Sequence, residues 1–154
     1  MTAPAAPIAP LQPVEQTMIA LPPGPEAPAD ARRAARDFLD ALRPPLPADR
    51  REDVLLIVSE LVTNAVRHAP SPYALVLTAD VGALDIAVAD GSPVAPAPRS
   101  PDLTDGTGGM GWHIAECLGA ALSTEPLADG KRVHATLAER PGLRGDVCAP
   151  AGVV

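Results

Sequence analysis

The chain has 154 residues, of which 47% are hydrophobic, and a formal net charge of −7 at pH 7. This length suits one domain with a real core, and the acidic balance argues against nucleic acid as a partner. No stretch reaches the length of a membrane-spanning helix, and the N-terminus lacks the basic region and apolar core of a signal peptide. We therefore expect a cytoplasmic protein that does not bind membranes.

The two cysteines, Cys117 and Cys148, lie far apart in the chain. They form no CxxC pair, and no histidines follow them at zinc spacing. We therefore expect free, unreactive thiols in a reducing compartment.

Composition divides the chain into an ordered domain and two ends. Residues 1–13 and 139–154 are rich in Ala, Pro and Gly without periodicity, which is typical of mobile ends around a domain at 14–138. In the first half of the domain, the sequence pattern predicts a strand at 15–21, a helix at 29–42, and a helix at 50–69 capped by Asp49. A hairpin of strands at 73–80 and 83–90 and an irregular loop at 91–109 follow. The domain ends with a helix from 111 to about 122 and a closing hairpin of 122–128 and 131–138 around the turn "DGK".

The order of these elements predicts the fold class. Consecutive strands are joined by tight turns, whereas a doubly wound parallel sheet needs crossover helices between them. We therefore expect a two-layer α/β sandwich, in which helices cover one face of a mixed, mainly antiparallel sheet.

The segment "SELVTNAVRHAP", residues 59–70, spaces Glu60, Asn64 and His68 four residues apart on the second helix. At 100° per residue, Glu60 lies just outside the apolar arc, Asn64 lies beside Ile57, and His68 falls inside the arc. Carboxylate and amide oxygens are ligands that Mg²⁺ accepts, so a magnesium–nucleotide site would explain this column. The spacing alone equally allows a solvated Glu60 and Asn64 with a hydrogen-bonded core histidine.

The segment "GTGGMGWHI", residues 106–114, brings glycines to the start of a helix, where backbone amides can bind phosphate. Gly106, Gly108 and Gly111 match GxGxxG, but a proline-rich loop precedes them in place of the strand that a dinucleotide fold requires. No Lys-Ser or Lys-Thr follows, which excludes a Walker-type loop. A flexible glycine hinge remains an alternative.

Three segments in order, "ELVTNAVRHA", "VADGSP" and "GTGGMGWHI", resemble the ATPase fold (Bergerat ATP-binding fold) of DNA gyrase, heat-shock chaperones, histidine kinases and MutL. Within it, the chain is most similar to bacterial anti-sigma factor serine kinases of the RsbW type, from about Gln16 to Ala138. The resemblance implies ATP and Mg²⁺ as cofactors, and a sigma factor and an antagonist (anti-anti-sigma) protein as partners. Relatives also suggest a homodimer.

The resemblance also assigns roles to residues. Glu60 would be the general base, Asn64 would hold Mg²⁺, and Asp90 would accept a hydrogen bond from the adenine amino group. Residues 91–108 would form a lid over ATP, and Thr136 would support the adenine site. The implied nucleotide contacts are Asn64, Arg67, His68, Asp90, Ser92, Gly106, Gly108, Gly109, Met110, Gly111 and Thr136. Taken alone, an aspartate before a glycine at a strand end, such as Asp90, is more often turn chemistry.

Two functions follow from this resemblance. The first is an ATP-dependent serine/threonine kinase that phosphorylates the antagonist and sequesters the sigma factor. The second is an ATP-gated protein-binding switch with little or no kinase activity, because Ser92 and Val94 stand where many relatives carry the glycines of Asp-x-Gly-x-Gly. A histidine-kinase fragment is disfavoured, since no histidine precedes His68.

Overall fold

The computed structural model describes residues 15–70, 73–80, 82–92 and 110–138. Its elements in chain order are β1 (Glu15–Leu21), α1 (Ala27–Ala41), α2 (Ala48–His68), β2 (Tyr73–Asp80), β3 (Ala83–Asp90), α3 (Met110–Cys117), β4 (Ala121–Leu127) and β5 (Gly130–Ala138). The predicted mobile ends, 1–13 and 139–154, lie outside the described residues, as do residues 93–109 of the predicted loop.

The five strands form one sheet in the order β1-β2-β3-β5-β4, and each pair of neighbours is antiparallel. Asp80 pairs with Ala83 in the first hairpin, and Leu127 pairs with Gly130 in the second, which closes through a two-residue turn. The prediction of a mainly antiparallel sheet is confirmed, and no parallel pair occurs among the described strands. The turn of the second hairpin is Ala128–Asp129, so the predicted turn "DGK" was placed too late.

The helices cover one face of this sheet, as predicted for a two-layer sandwich. α1 packs on α2, β1 and β2, while α2 packs on β2, β3 and α3. Every second strand residue points into the core, as the two-residue period of a strand requires. The core side chains of β2, β3 and β5 are Tyr73, Leu75, Leu77, Leu84, Ile86, Val88, Val133, Ala135 and Leu137. None of the described helices is long and apolar enough to cross a bilayer.

The beginnings of the first two helices differ from the prediction because of proline. α1 begins at Ala27, before Pro28, since proline is tolerated in a first turn where its missing amide has no partner to lose. α2 begins at Ala48 after Pro47, with no side-chain cap bond. Asp49 is therefore not the cap. It lies in the first turn of α2, where the helix dipole favours a carboxylate.

The third helix is shorter than predicted because a glycine ends it. α3 stops at Cys117, and Gly119 has a φ of 87°. The amide of Ala120 donates to Ala115 O at 3.0 Å, and the amide of Gly119 donates to Glu116 O at 2.9 Å, which is the Schellman arrangement. The chain then enters β4 at Ala121, which the prediction had assigned to the helix.

The cysteine prediction was wrong for the described cysteine. Cys117, the last residue of α3, is disulfide-bonded. Separation along the chain gave no sign of this, because a disulfide depends on the distance between Cα atoms in space.

Candidate functional site

The polar side chains of α2 differ in whether another residue of the fold pairs with them. Asp53 is buried and forms an ion pair with Arg50 at 3.5 Å. Arg50 also donates to Leu118 O at 3.2 Å and to Ala138 O at 2.9 Å. Asp53 therefore has a structural role, because it pairs with Arg50, the side chain that joins the start of α2 to the ends of α3 and β5.

Glu60 and Asn64 differ from Asp53 because no partner among the described residues satisfies them. Both are half-buried, on the rim of the apolar face as the sequence predicted. Within the described residues, neither side chain makes a hydrogen bond or an ion pair. Polar groups that a fold withdraws from water ordinarily find partners. A carboxylate and an amide one helical turn apart are therefore available to a ligand.

The last turn of α2 corrects the prediction for His68. Burial on α2 ends at Ala65, and both Arg67 and His68 are exposed. The apolar arc was drawn as if the core ran the full length of the helix, whereas the last turn extends beyond it. His68 is therefore not a core histidine, and it lies with Arg67 on the surface at the C-terminal end of α2.

Asp90 ends β3 and is 6% exposed. Its Oδ1 accepts the amide of Ser92 at 2.8 Å, which is the turn contact expected of an aspartate at this position, and the ammonium of Lys131 at 3.0 Å. Its Oδ2 accepts no hydrogen bond from the described residues. The amide of Gly91 donates to Pro70 O at 2.9 Å, so Asp90 and the C-terminal end of α2 lie at the same end of the molecule.

The sequence reasoning missed Lys131 and Gly130, which are the cross-strand neighbours of this aspartate. Lys131 pairs with Asp90 in the sheet and is 8% exposed. It shares the period-2 face of Val133 and Ala135, a signal that was available in the sequence. A Cβ on Gly130 would lie 1.9 Å from Asp90 O, so only glycine allows the two strand ends to approach this closely.

Thr136 lies on the opposite face of the sheet from Lys131, since the two are five positions apart on one strand. Its Oγ1 donates to Asp85 Oδ1 at 2.9 Å. The structure therefore does not bring Thr136 together with Asp90.

His134 completes a polar cluster on that open face. Its Nδ1 lies 2.9 Å from Asp85 Oδ2, and its Nε2 lies 3.0 Å from Glu125 Oε2. Burial alone would lower the pKa of His134, but its bonds to Glu125 and Asp85 outweigh burial and raise that pKa above its ordinary value. The bond from His134 is the largest cause that lowers the pKa of Glu125. Both imidazole nitrogens are thus occupied by carboxylates.

The glycine segment is described only where α3 begins. Met110 and Gly111 open that helix, while Gly106, Gly108 and Gly109 lie outside the described residues. The C-terminal end of α3 is held at the start of α2 by the bond from Arg50 to Leu118 O. α3 also packs against α2.

The side chains described above do not by themselves form a complete metal-binding site. No group of three or more His, Cys, Asp or Glu among the described residues could hold a metal ion. Mg²⁺ does not require such a cage, because it commonly keeps waters and is bound by one or two protein oxygens together with substrate phosphates. Asn64 fits that pattern, with the nucleotide supplying further ligands.

Comparison with known proteins shows the family to which the chain belongs. A family model described as a histidine kinase-like ATPase domain matches residues 21–137. Among solved structures, the chain is similar to the histidine kinase domain from Erythrobacter litoralis EL346 blue-light activated histidine kinase, with 25% identity and a TM-score of 0.45. That match covers 60% of this chain and 46% of the other, so the chain spans less than half the length of that relative. No curated protein matches the chain.

Proposed function

This chain belongs to the histidine kinase-like ATPase domain family, and we propose that it is an anti-sigma factor serine/threonine kinase that phosphorylates an antagonist protein with Mg²⁺ and ATP. Its partners would be a sigma factor and that antagonist, with a second copy of the chain forming a homodimer. The observation that carries the proposal is that Glu60 and Asn64, on α2, have no partner among the described residues, while the O of Pro70, just beyond α2, accepts the amide of Gly91, which follows Asp90.

Phosphoryl transfer needs positioning and charge neutralisation more than covalent help from the protein. Glu60 would accept the proton of the attacking serine or threonine hydroxyl, which requires a carboxylate that no structural partner occupies. Asn64, one turn later on α2, would place its amide oxygen on Mg²⁺. The bound ion would supply neutralisation of the phosphate charge.

The binding site for the adenine ring must offer a hydrogen-bond acceptor to the adenine amino group. Asp90 Oδ1 is engaged by Ser92 and Lys131, but Oδ2 has no partner among the described residues. One acceptor oxygen is therefore available, which is what a hydrogen bond from the amino group requires. The residues present fit the nucleotide at this position.

The second candidate function is an ATP-gated protein-binding switch with little or no turnover. The observation in its favour is that Ser92 and a buried lysine, Lys131, both bond to Asp90. In relatives with Asp-x-Gly-x-Gly, glycine stands where this chain has Ser92. A switch of this kind would bind ATP and change its affinity for a protein partner without forming ADP.

A first experiment tests the nucleotide site through Trp112, the single tryptophan of the chain, near the start of α3. We expect ATP to change its emission saturably in the presence of Mg²⁺. Asn64→Ala should abolish this response, whereas Thr63→Ala, one position away on α2, should retain it. If calorimetry also detects no ATP binding by the wild-type chain, the proposal fails at its first step.

A second experiment separates the kinase from the switch. Glu60→Gln should bind ATP normally and lose about 100-fold or more of phosphotransfer to the antagonist, in the range of general-base catalysis. Glu52→Gln, at an exposed position on the same helix, should keep both activities. Full transfer by Glu60→Gln would contradict the assigned mechanism. ATP binding with no transfer by the wild-type chain would select the switch.

A further inference from the structure

The ends of β3 and β5 carry a buried ion pair whose presence the fold alone does not explain. Lys131 Nζ lies 3.0 Å from Asp90 Oδ1, and the two side chains are 10% and 3% exposed. The next core-facing residues of the same strands are Val88 and Val133, which are apolar. Withdrawing two charges from water is costly, and replacing such pairs by apolar residues is often neutral or stabilising. A buried Lys–Asp pair at the edge of the core is therefore weak evidence of a structural role.

The hydrogen-bonding capacity of the pair is only partly used. An ammonium has three donors, and Lys131 spends one of them on Asp90 among the described residues. Asp90 accepts both of its bonds through Oδ1 and leaves Oδ2 without a partner in the same part of the chain. In the described part of the chain, Asp90 Oδ2 is therefore an unused acceptor that lies beside the unused N–H donors of Lys131.

That arrangement has a chemical complement in adenine. The 6-amino group of adenine is a donor, and the ring nitrogens on either side of it, N1 and N7, are acceptors. We propose that Asp90 and Lys131 read the base together, with Asp90 Oδ2 accepting from the 6-amino group and Lys131 donating to the neighbouring ring nitrogen. This inference rests on the proposed ATP site and adds Lys131 to it as a residue that determines base specificity.

The placement of Lys131 favours reading by direct contact over a role in stability. Gly130 allows the start of β5 to touch the backbone of Asp90, which fixes the ammonium beside the carboxylate. The next residue, Arg132, lies on the opposite face and pairs with Glu125 at 3.4 Å. Arg132 is therefore a matched control: it is a cation one position away that cannot reach the same base.

The test uses the full chain and calorimetric titration with ATP, GTP, 1-deaza-ATP and 7-deaza-ATP. Lys131→Met should weaken ATP binding by about tenfold or more, the worth of one charge-assisted hydrogen bond. Arg132→Met should bind ATP like the wild-type chain. The wild-type chain should also bind one of the two deaza analogues more weakly than ATP, by a similar factor, and that analogue identifies the ring nitrogen. Lys131→Met should bind the same analogue as tightly as it binds ATP.

Each contrary result has a separate meaning. If the wild-type chain binds ATP and both deaza analogues equally well, Lys131 does not contact a ring nitrogen and this inference is wrong, while the proposed ATP site stands. This comparison needs no variant, so it holds even if Lys131→Met fails to fold. GTP binding as tight as ATP binding would overturn the assignment to adenine. If no nucleotide binds, the proposed function fails together with the inference.

Discussion

Single polar residues in this protein divide according to whether the fold itself satisfies them. Asp53 is buried and paired with Arg50, and Thr136 is bonded to Asp85, so the tertiary structure accounts for both. Glu60 and Asn64 have no such partner in the described part of the chain. That difference separates candidate ligand-binding residues from structural ones more sharply than residue type does, because aspartate, glutamate, asparagine and threonine can serve in either role.

Gly130→Ala should destabilise the protein by about 3 kcal/mol, the upper part of the range for overpacking. The new Cβ would lie 1.9 Å from Asp90 O, and a backbone atom in a sheet cannot rotate away as a side chain can. Urea unfolding measures the loss, and ATP affinity should fall with it because Asp90 is displaced.

Gly82→Ala is the comparison for that variant. Gly82 has a φ of 75°, but nothing lies within 4 Å of the position that a Cβ would occupy there. Alanine at this position therefore costs only the left-handed backbone conformation, about 1 to 2 kcal/mol. ATP affinity should not change. Wild-type stability in Gly130→Ala would contradict the close approach of the two strand ends.

The cluster of Asp85, Glu125 and His134 should make stability depend on pH. The pKa of His134 is raised in the folded state, so its contribution is present at pH values below the ordinary histidine pKa and is lost as pH rises through the raised value. The pKa of Glu125 is lowered, so its contribution is present above the ordinary glutamate pKa and is lost on acidification through the lowered value. The cluster is therefore most stabilising at mildly acidic pH.

Urea unfolding of the wild-type chain and of His134→Gln at pH 5.5 and pH 8 checks this dependence. The stability advantage of the wild-type chain over the variant should be larger at pH 5.5. An advantage that is equal at both values, or larger at pH 8, would show that His134 does not carry a charge in this cluster. Salt should reduce the advantage, because solvent screens partly exposed charges.

At the scale of elements, one arginine side chain links α2 to both α3 and β5 by hydrogen bonds. Arg50, in the first turn of α2, bonds to Leu118 O after α3 and to Ala138 O at the end of β5. These contacts fix where α3 lies along α2.

Arg50→Met should lower the free energy of unfolding by about 2 kcal/mol or more, because charged hydrogen bonds are lost and Asp53 is left buried without its partner. Hydrogen exchange of the α3 amides should also become faster, since their anchor to α2 is removed. Arg33→Met is the control, because its exposed pair with Asp30 is worth less than about 0.5 kcal/mol. Unchanged exchange in α3 would contradict the anchoring role.

At the scale of the whole molecule, the proposed site draws on elements distant in the chain. α2 supplies Glu60 and Asn64, β3 supplies Asp90 and β5 supplies Lys131. A ligand that spans these elements binds the folded chain and not the unfolded one, so it stabilises the fold as a unit.

ATP with Mg²⁺ at 100 times its Kd should stabilise the protein by about 2.7 kcal/mol and raise Tm by roughly 5 to 10 °C for a domain of this size. Differential scanning calorimetry measures the shift. Asn64→Ala should show little or none of it, whereas Thr63→Ala should shift like the wild-type chain. An equal shift in Asn64→Ala would place the metal ligand elsewhere.

The sequence alone determined the elements and the sheet class of this protein. The period of apolar residues depends only on neighbours along the chain, so it located both hairpins and α2, and it placed Glu60 and Asn64 on the rim of a buried face. Tight turns between strands then required antiparallel pairing. Errors at helix ends came from Pro28, Pro47 and Gly119, whose local effects shift a boundary by a few residues without changing an element.

Only the tertiary structure decided which distant residues meet. The exposure of His68, the face on which Thr136 lies and the burial of Lys131 against Asp90 depend on where the core ends and on the register of β3 with β5. The disulfide of Cys117 depends on separation in space in the same way. A one-dimensional pattern fixes which way a side chain faces on its own element, but a partner across the fold is set by packing between elements.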